Sequence, residues 1–300
     1  MPHRHARRDD DDFDDDRPHR PRKRPHGKPK RKGTPVALVV GLVVGGTLLL
    51  GGGALAAILL LRDRSTGTAA AQDPFPGMLA HWSFDDYQID DARQVINVKD
   101  STGRGNNGVI TGGRLAPGKK GNALWLDGRD DQYMDVSAAK ELTFAPGSEL
   151  TIAAWFQTRD KFGGTIVAFR HPTLPTQLDI YSRDNRVIGI VGDDDDEEGR
   201  HAFKWDPSPT ASDGQWHHVA LTRRGKTVQL FYDGVSQGED LQGNSGGRLS
   251  GGLGAVGCNL RFVKDDEHRF GRAGFKGAID EVYVFSRALT GPEIQQLMRR

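Results

Sequence analysis

The sequence of 300 residues has one cysteine, four methionines and almost no net charge, with 41 Lys or Arg against 40 Asp or Glu. Cys258 alone excludes an intrachain disulfide, so stability must come from packing or from a bound metal. Beside Gly257 on an expected strand, Cys258 reads as a small buried apolar residue, since no motif marks it as a nucleophile. Catalytic signatures are also missing: there is no nucleophile elbow, no zinc-binding histidine spacing and no glycine-rich phosphate loop. No internal repeat is evident either, which excludes solenoids and propellers.

The balanced total conceals a segregation. Residues 1–33 carry 12 basic and seven acidic side chains, a net of +5, while residues 73–300 carry 27 and 32, a net of −5. One long apolar run separates them: Val36 to Leu61 holds no charged residue across 26 positions. As a helix it reaches about 39 Å at ~1.5 Å per residue, more than the ~30 Å hydrocarbon core of a bilayer. A transmembrane helix is therefore expected over residues 34–62. Arg17 to Lys32 holds nine Lys or Arg and no acid, which places the N-terminus in the cytoplasm and everything after the span outside the cell membrane. A cleaved signal peptide, with Ala69, Ala70 and Ala71 as its small residues, is the competing reading; the run is too long for a typical apolar core of ~7–15 residues. Ala37, Gly41, Gly45, Gly53 and Ala57 recur at spacing four, interrupted by Leu49, and form a stripe suited to a homodimer seam.

Residues 1–33 have almost no apolar side chains and read as a disordered charged tail. Its basic run lies on anionic head groups in this reading, which accounts for it without nucleic-acid binding. Residues 63–77 form a linker, and a single folded domain is expected over 78–300.

Strands dominate that domain. Runs rich in β-branched and aromatic residues are expected at Leu79–Phe84, Ala123–Leu126, Tyr133–Val136, Leu150–Gln157, Thr165–Arg170, Leu178–Ser182, Arg186–Val191, Trp216–Arg223, Thr227–Tyr232, Leu253–Gly257 and Ala278–Phe285. Asp127-Gly128 and Asp233-Gly234 carry hairpin-turn chemistry. Two helical pieces are expected, one turn at Ser137–Leu142 and a capped helix at Gly291–Met298 behind Thr290. Many short strands at regular spacing predict an all-β, two-sheet antiparallel sandwich. Trp82, Trp125, Trp155 and Trp216 are expected to fill its core.

Several phrases in order carry a resemblance: His81-Trp82-Ser83-Phe84-Asp85-Asp86, Asp100-Ser101-Thr102-Gly103, Gly121-Asn122-Ala123-Leu124-Trp125-Leu126-Asp127-Gly128, Leu150 to Phe156, Trp216-His217-His218-Val219, Leu230 to Gly234, and Phe275 to Val282. Together they resemble the laminin-G-like branch of the concanavalin A-like jelly rolls over about Leu79 to Met298. The resemblance implies two sheets face to face with the first and last strands adjacent. It also implies a structural calcium ion at their junction, with Asp85 (or Asp86), Asp100 and Asp280 as carboxylate ligands, since calcium takes six to eight oxygens.

The acidic run Asp193 to Glu198 is expected to be a solvated loop. Asp280 and Glu281, as neighbours on a strand, are expected on opposite faces and so do not pair as glycosidase carboxylates. No catalytic residue is assigned. The resulting expectation is a single-pass membrane protein displaying a recognition domain for carbohydrate or a cell-surface protein. Its contacts are expected from loops 159–164, 171–176, 193–201 and 261–272, with Phe162, His171, Arg261 and Phe270 as ligand-binding residues. A carbohydrate-active enzyme on the same sandwich, and a passive sensor acting through the tail, are the alternatives.

Overall fold

Short β-branched runs punctuated by glycine turns build nineteen strands and one helix among the described residues. The structure is a computed structural model. It describes residues 75–300 apart from 140–141, 173, 175, 194–200, 205–209, 241–246 and 263–268, and omits the side chains of 201–204, 239–240, 261–262 and 269–272. The tail and the expected span over 34–62 lie outside the described residues. Among those residues, no helix is long and apolar enough to cross a membrane.

The strands are β1 (Met78–Trp82), β2 (Tyr87–Asp90), β3 (Val95–Val98), β4 (Gly108–Thr111), β5 (Arg114–Pro117), β6 (Asn122–Asp127), β7 (Tyr133–Asp135), β8 (Leu150–Gln157), β9 (Gly164–Arg170) and β10 (Gln177–Arg183). They continue as β11 (Arg186–Gly192), β12 (His201–Lys204), β13 (Trp216–Arg224), β14 (Thr227–Tyr232), β15 (Val235–Asp240), β16 (Leu253–Val256), β17 (Asn259–Phe262), β18 (Arg269–Arg272) and β19 (Lys276–Phe285). Helix α1 spans Gly291–Leu297.

The first sheet runs β15-β14-β13-β8-β19-β6-β5, with β1 also on β19, and the second runs β12-β11-β10-β9-β16-β7-β4-β3-β2. β17 and β18 form a separate two-stranded pair. Every pairing is antiparallel. The expected all-β sandwich is therefore the fold, and the first and last strands are adjacent. Alternating side chains meet between the sheets: Trp82, Leu124, Leu126, Ile152, Phe156, Val219, Leu221, Ile279, Val282 and Val284 share one buried cluster with Val167, Ile180 and Val191 of the second sheet.

Two expectations change here and one holds. Asp127-Gly128 does not close a hairpin, because β6 belongs to the first sheet and β7 to the second, so the Asp-Gly loop is a crossover. Asp233-Gly234 does close one: both residues take positive φ, 47° and 75°, between β14 and β15, as a primed two-residue turn requires. The folded region starts before Met78, since Phe75 is buried with Phe285, Leu289 and Ile294 beneath α1. At the expected turn over Ser137–Leu142 the Ala139 N–H donates to the Val136 carbonyl and the Leu142 N–H to the Ala139 carbonyl, while residues 140–141 lie outside the described residues.

A bulge in β19 governs what reaches the outer face. The register with β8 slips between Asp280 and Tyr283, and Glu281 takes φ 50°. One extra residue resets the alternation. Ile279 faces the core before the bulge, Val282 and Val284 after it. Asp280 and Glu281, expected on opposite faces, thus both turn away from the core.

Candidate functional site

The outer face of the first sheet carries the side chains that alternate with the core residues. On β6 the core takes Leu124 and Leu126, which leaves Trp125 between them half-buried on that face. Antiparallel register sets Trp125 opposite Arg114 on β5 and Ala278 on β19; Ala278 in turn faces Gln157 on β8, and Gln157 faces Trp216 on β13. A row of Arg114, Trp125, Ala278, Gln157 and Trp216 therefore crosses five strands. The Arg114 guanidinium lies over the Trp125 indole, 4.0 Å from its centroid.

Past the end of β8 the chain builds a wall beside this row. The Thr158 hydroxyl donates to the Lys276 carbonyl at 2.6 Å and accepts from the Asp160 N–H at 2.9 Å, while the Asp160 carboxylate accepts from the Phe162 N–H at 2.9 Å. Two side-chain turns in succession fix the loop and leave Phe162 89% exposed. Gly163 ends it at φ 84°, where a Cβ would stand 1.7 Å from the Ser182 carbonyl oxygen, so only glycine fits. Across from the loop, the β10–β11 turn presents Asp184 and Asn185, both at positive φ; Asn185 is fixed by the Ser212 N–H and hydroxyl. These elements enclose a cleft of about 980 Å³ lined by Trp125, Gln157, Arg159 to Phe162, Asp184, Asn185 and Lys276.

Of the four expected ligand-binding residues, only Phe162 is shown at the cleft. His171 follows β9 whereas Phe162 precedes it; the seven-residue strand separates them by about 23 Å. The His171 Nδ1 accepts from the Leu174 N–H at 3.0 Å. Arg261 and Phe270 face each other across the β17–β18 pair in backbone register, and their side chains lie outside the described residues. Trp125, Gln157, Asn185 and Lys276 were not picked out from the sequence. The signal for Trp125 was its place between two leucines on a strand with one buried face.

The three expected metal carboxylates do not form one ligand set. Asp100 is buried and accepts from the His81, Thr102 and Asn106 N–H groups and the Thr102 hydroxyl, at 2.7–3.1 Å. It organises the turn after β3. Asp85 accepts from the Asn122 N–H at 2.7 Å, and Asp280 from the Lys120 and Glu281 N–H groups at 2.9 and 2.7 Å. Both press on one turn: a Cβ on Gly121 would meet Asp85 oxygen at 2.1 Å, and one on Gly118 would meet Asp280 oxygen at 2.5 Å. A carboxylate has about four acceptor sites, so these two keep capacity for a hard cation, while Asp100 does not. Among the described residues, no group of three or more His, Cys, Asp or Glu side chains is arranged to hold a metal.

Burial pushes the Asp280 carboxyl up to about 7, with neighbouring Glu281 adding to it. Glu281 is also desolvated, yet it is held below its ordinary value by hydrogen bonds from His81, at 3.0 Å, and from the Tyr283 hydroxyl. This pair lies beneath the Gly118–Gly121 turn and the end of α1, beside a cavity of about 190 Å³ that also touches Lys119, Trp155 and Arg300. Asp280 is fully buried and does not face the large cleft. Asp193, expected in a solvated run, is buried instead and accepts from the Gly247 N–H at 2.8 Å; residues 194–198 lie outside the described residues.

Comparison with known families matches residues 127–295 to the laminin-G-like model of the concanavalin A-like lectin/glucanases superfamily. The chain belongs to that superfamily. Among solved structures, this concanavalin A-like domain is similar to the binding domain of Paraclostridial Mosquitocidal Protein 1, at 14% identity and a TM-score of 0.54 over 74% of this chain and 51% of that one. It is also similar to Domain 4 of AbnA, a GH43 extracellular arabinanase from Geobacillus stearothermophilus, in complex with arabinotriose, at 22% and 0.50 over 73% and 97%. A third is the ligand binding domain of botulinum neurotoxin serotype D in complex with N-acetylneuraminic acid, at 14% and 0.51 over 74% and 50%. The chain spans about half the length of the toxin domains it matches. No curated protein matches it. At these identities the likeness establishes the fold.

Proposed function

We propose that this protein is a recognition module that binds carbohydrate in the cleft between the 158–163 loop and the outer-face row of the first sheet. The observation that carries the reading is the pairing, in a cleft of about 980 Å³, of a half-buried Trp125 with a nearly fully exposed Phe162 above fixed polar groups. Apolar ring faces for stacking, with a few oriented hydrogen-bonding groups, are what a saccharide site needs. The arabinotriose and N-acetylneuraminic acid complexes of the similar domains support this use of the fold. An enzyme on the same sandwich is less favoured, because Asp280 and Glu281, the two adjacent carboxyl groups whose proton affinities are driven apart, are buried outside this cleft.

The proposal includes single-pass display from the cell membrane, supported by the uncharged run Val36 to Leu61 and the nine basic residues before it. Resistance of the full chain to alkaline extraction, with the C-terminal domain open to external protease, is the expected result; extraction overturns that part. Calcium is included on narrower terms, held by Asp85 and Asp280 at the Gly118–Gly121 turn.

The test is a binding screen of the purified full chain in mild detergent against a panel of polysaccharides, with product analysis of the same samples. Binding weakened in Trp125→Ala and Phe162→Ala, without released sugars, is expected. Turnover transfers the assignment to an enzyme, and binding untouched by both substitutions removes the cleft from consideration.

A further inference from the structure

We infer that the cleft takes an acidic, linear glycan, laid across the strands of the first sheet with its rings on Trp125 at one end and Trp216 at the other. The inference rests on the carbohydrate-binding reading of the same cleft and adds charge and length to it.

Charge comes first. Arg159, Lys161 and Lys276 line the cleft, and none has a carboxylate partner among the described residues. Of the two acids of the lining, Asp184 lies 3.7 Å from Arg183, and Asp160, which accepts from the Phe162 N–H, keeps one negative charge against those three cations. Arg114 adds a fourth cation over the Trp125 ring. This cluster stands on a region, residues 73–300, whose net charge is −5. A positive cleft on a negative domain focuses anions there and disfavours them elsewhere on the surface.

Length follows from register. Trp125, Ala278, Gln157 and Trp216 are successive cross-strand neighbours. Three inter-strand steps put the two indoles about 14 Å apart, beyond the reach of a monosaccharide and within that of a short oligosaccharide. Between them Ala278 leaves a low floor and Gln157 is held, its amide donating to the Gly214 carbonyl at 2.9 Å. A linear chain can touch both rings, and its carboxylates or sulfates then pass the Arg159, Lys161 and Lys276 side chains.

The experiment measures binding of the full chain to polygalacturonate, alginate, hyaluronan and polysialic acid, each beside its carboxyl-reduced neutral form, and to heparan sulfate beside its desulfated form. Expected are tighter binding to at least one acidic polymer than to its neutral form, weakening with salt, and a loss of about tenfold in Arg159→Gln and Lys276→Gln but not in Arg93→Gln on the distant β2–β3 turn. Oligomers of the bound polymer should gain affinity over the first few units and then level off, with Trp216→Ala flattening that gain. Equal binding of every acidic polymer and its neutral form overturns the charge assignment while sparing the carbohydrate reading. Affinity that is full for a monosaccharide overturns the length assignment. Absence of binding to every polymer, acidic and neutral, overturns the inference together with the reading beneath it.

Discussion

His217 and His218 are consecutive on β13 with rings on opposite faces of the sheet, and the two faces drive their protonation in opposite directions. His217 packs against Phe156 and Tyr232 and is bonded to Asp233 at 2.8 Å and Asp213 at 3.1 Å. Burial alone would lower it, but those two carboxylates raise it above its ordinary value. His218 is fully buried edge-on to Trp155, and neither ring nitrogen has a hydrogen-bond partner among the described residues. Burial lowers it to about 4, with Asp233 opposing.

The sign of each contribution follows. His218, neutral in the folded state, contributes stability that is complete above its ordinary value of 6.5 and lost as pH falls through about 4. The loss is on the order of 3 kcal/mol. His217 contributes stability below 6.5 that disappears as pH rises through its raised value. Denaturant unfolding between pH 4 and 7 should therefore show a steep fall on the acid side that flattens in His218→Phe. The same substitution should be nearly neutral at pH 7, because it removes two unsatisfied polar atoms in a similar shape. An unchanged acid slope in His218→Phe would assign the loss to other groups.

Phe162 separates binding from folding. At 89% exposed it contributes little to the core, so Phe162→Ala should leave the unfolding free energy within about 0.5 kcal/mol of the parent. Its ring stands over the cleft, and its loss should weaken saccharide binding by up to about tenfold. Gly163→Ala is the companion variant. It forces a Cβ to within 1.7 Å of the Ser182 carbonyl oxygen, so it should lower both stability and binding. Calorimetry and a binding titration on the two variants make the comparison.

Asp100 and the Asp85/Asp280 pair make different predictions for calcium. Asp100 accepts four donors, and its replacement by Ala leaves them unpaired in a buried turn, costing about 2–4 kcal/mol with or without calcium. If calcium binds at the Gly118–Gly121 turn, it raises the melting temperature of the parent and of Asp100→Asn, and not of Asp280→Asn. A parent melting temperature that is the same in calcium and in chelator ends the calcium proposal.

Much of the sandwich was legible because its strands are bounded by turn residues and its inner faces alternate. Leu150–Gln157 and Thr227–Tyr232 match the expected bounds. What escaped depended on context that lies far away in sequence. Asp127-Gly128 carries hairpin chemistry, yet β6 finds β5 and β19 while β7 finds β4 and β16, and no local residue specifies those partners. The parity of β19 was misread because a single positive φ at Glu281 resets it. Among the candidate residues Phe162 was legible as an exposed loop aromatic. Trp125 was not, since a tryptophan on a strand reads as core until the buried face is known.

Phe75 belongs to the fold, and this is open to direct test. Its sequence context reads as linker, but it is 2% exposed, its ring lies 6.3 Å from that of Phe285, and the Arg300 guanidinium approaches it at 5.7 Å. The backbone after it is also tied down: Arg287 donates to the Pro76 carbonyl at 2.6 Å, and the Ser286 N–H to the Gly77 carbonyl at 2.8 Å. Phe75→Ala therefore opens a cavity under α1 and should cost about 3–5 kcal/mol, as much as a substitution between the sheets. Because Phe75 shares its cluster with Tyr283, Leu289 and Leu297, the loss should loosen α1 first. Amide exchange should accelerate in Gly291–Leu297 before it does in β8 or β13. Uniform acceleration across the domain would mean that α1 and the sheets unfold as one unit, and unchanged exchange would return Phe75 to the linker.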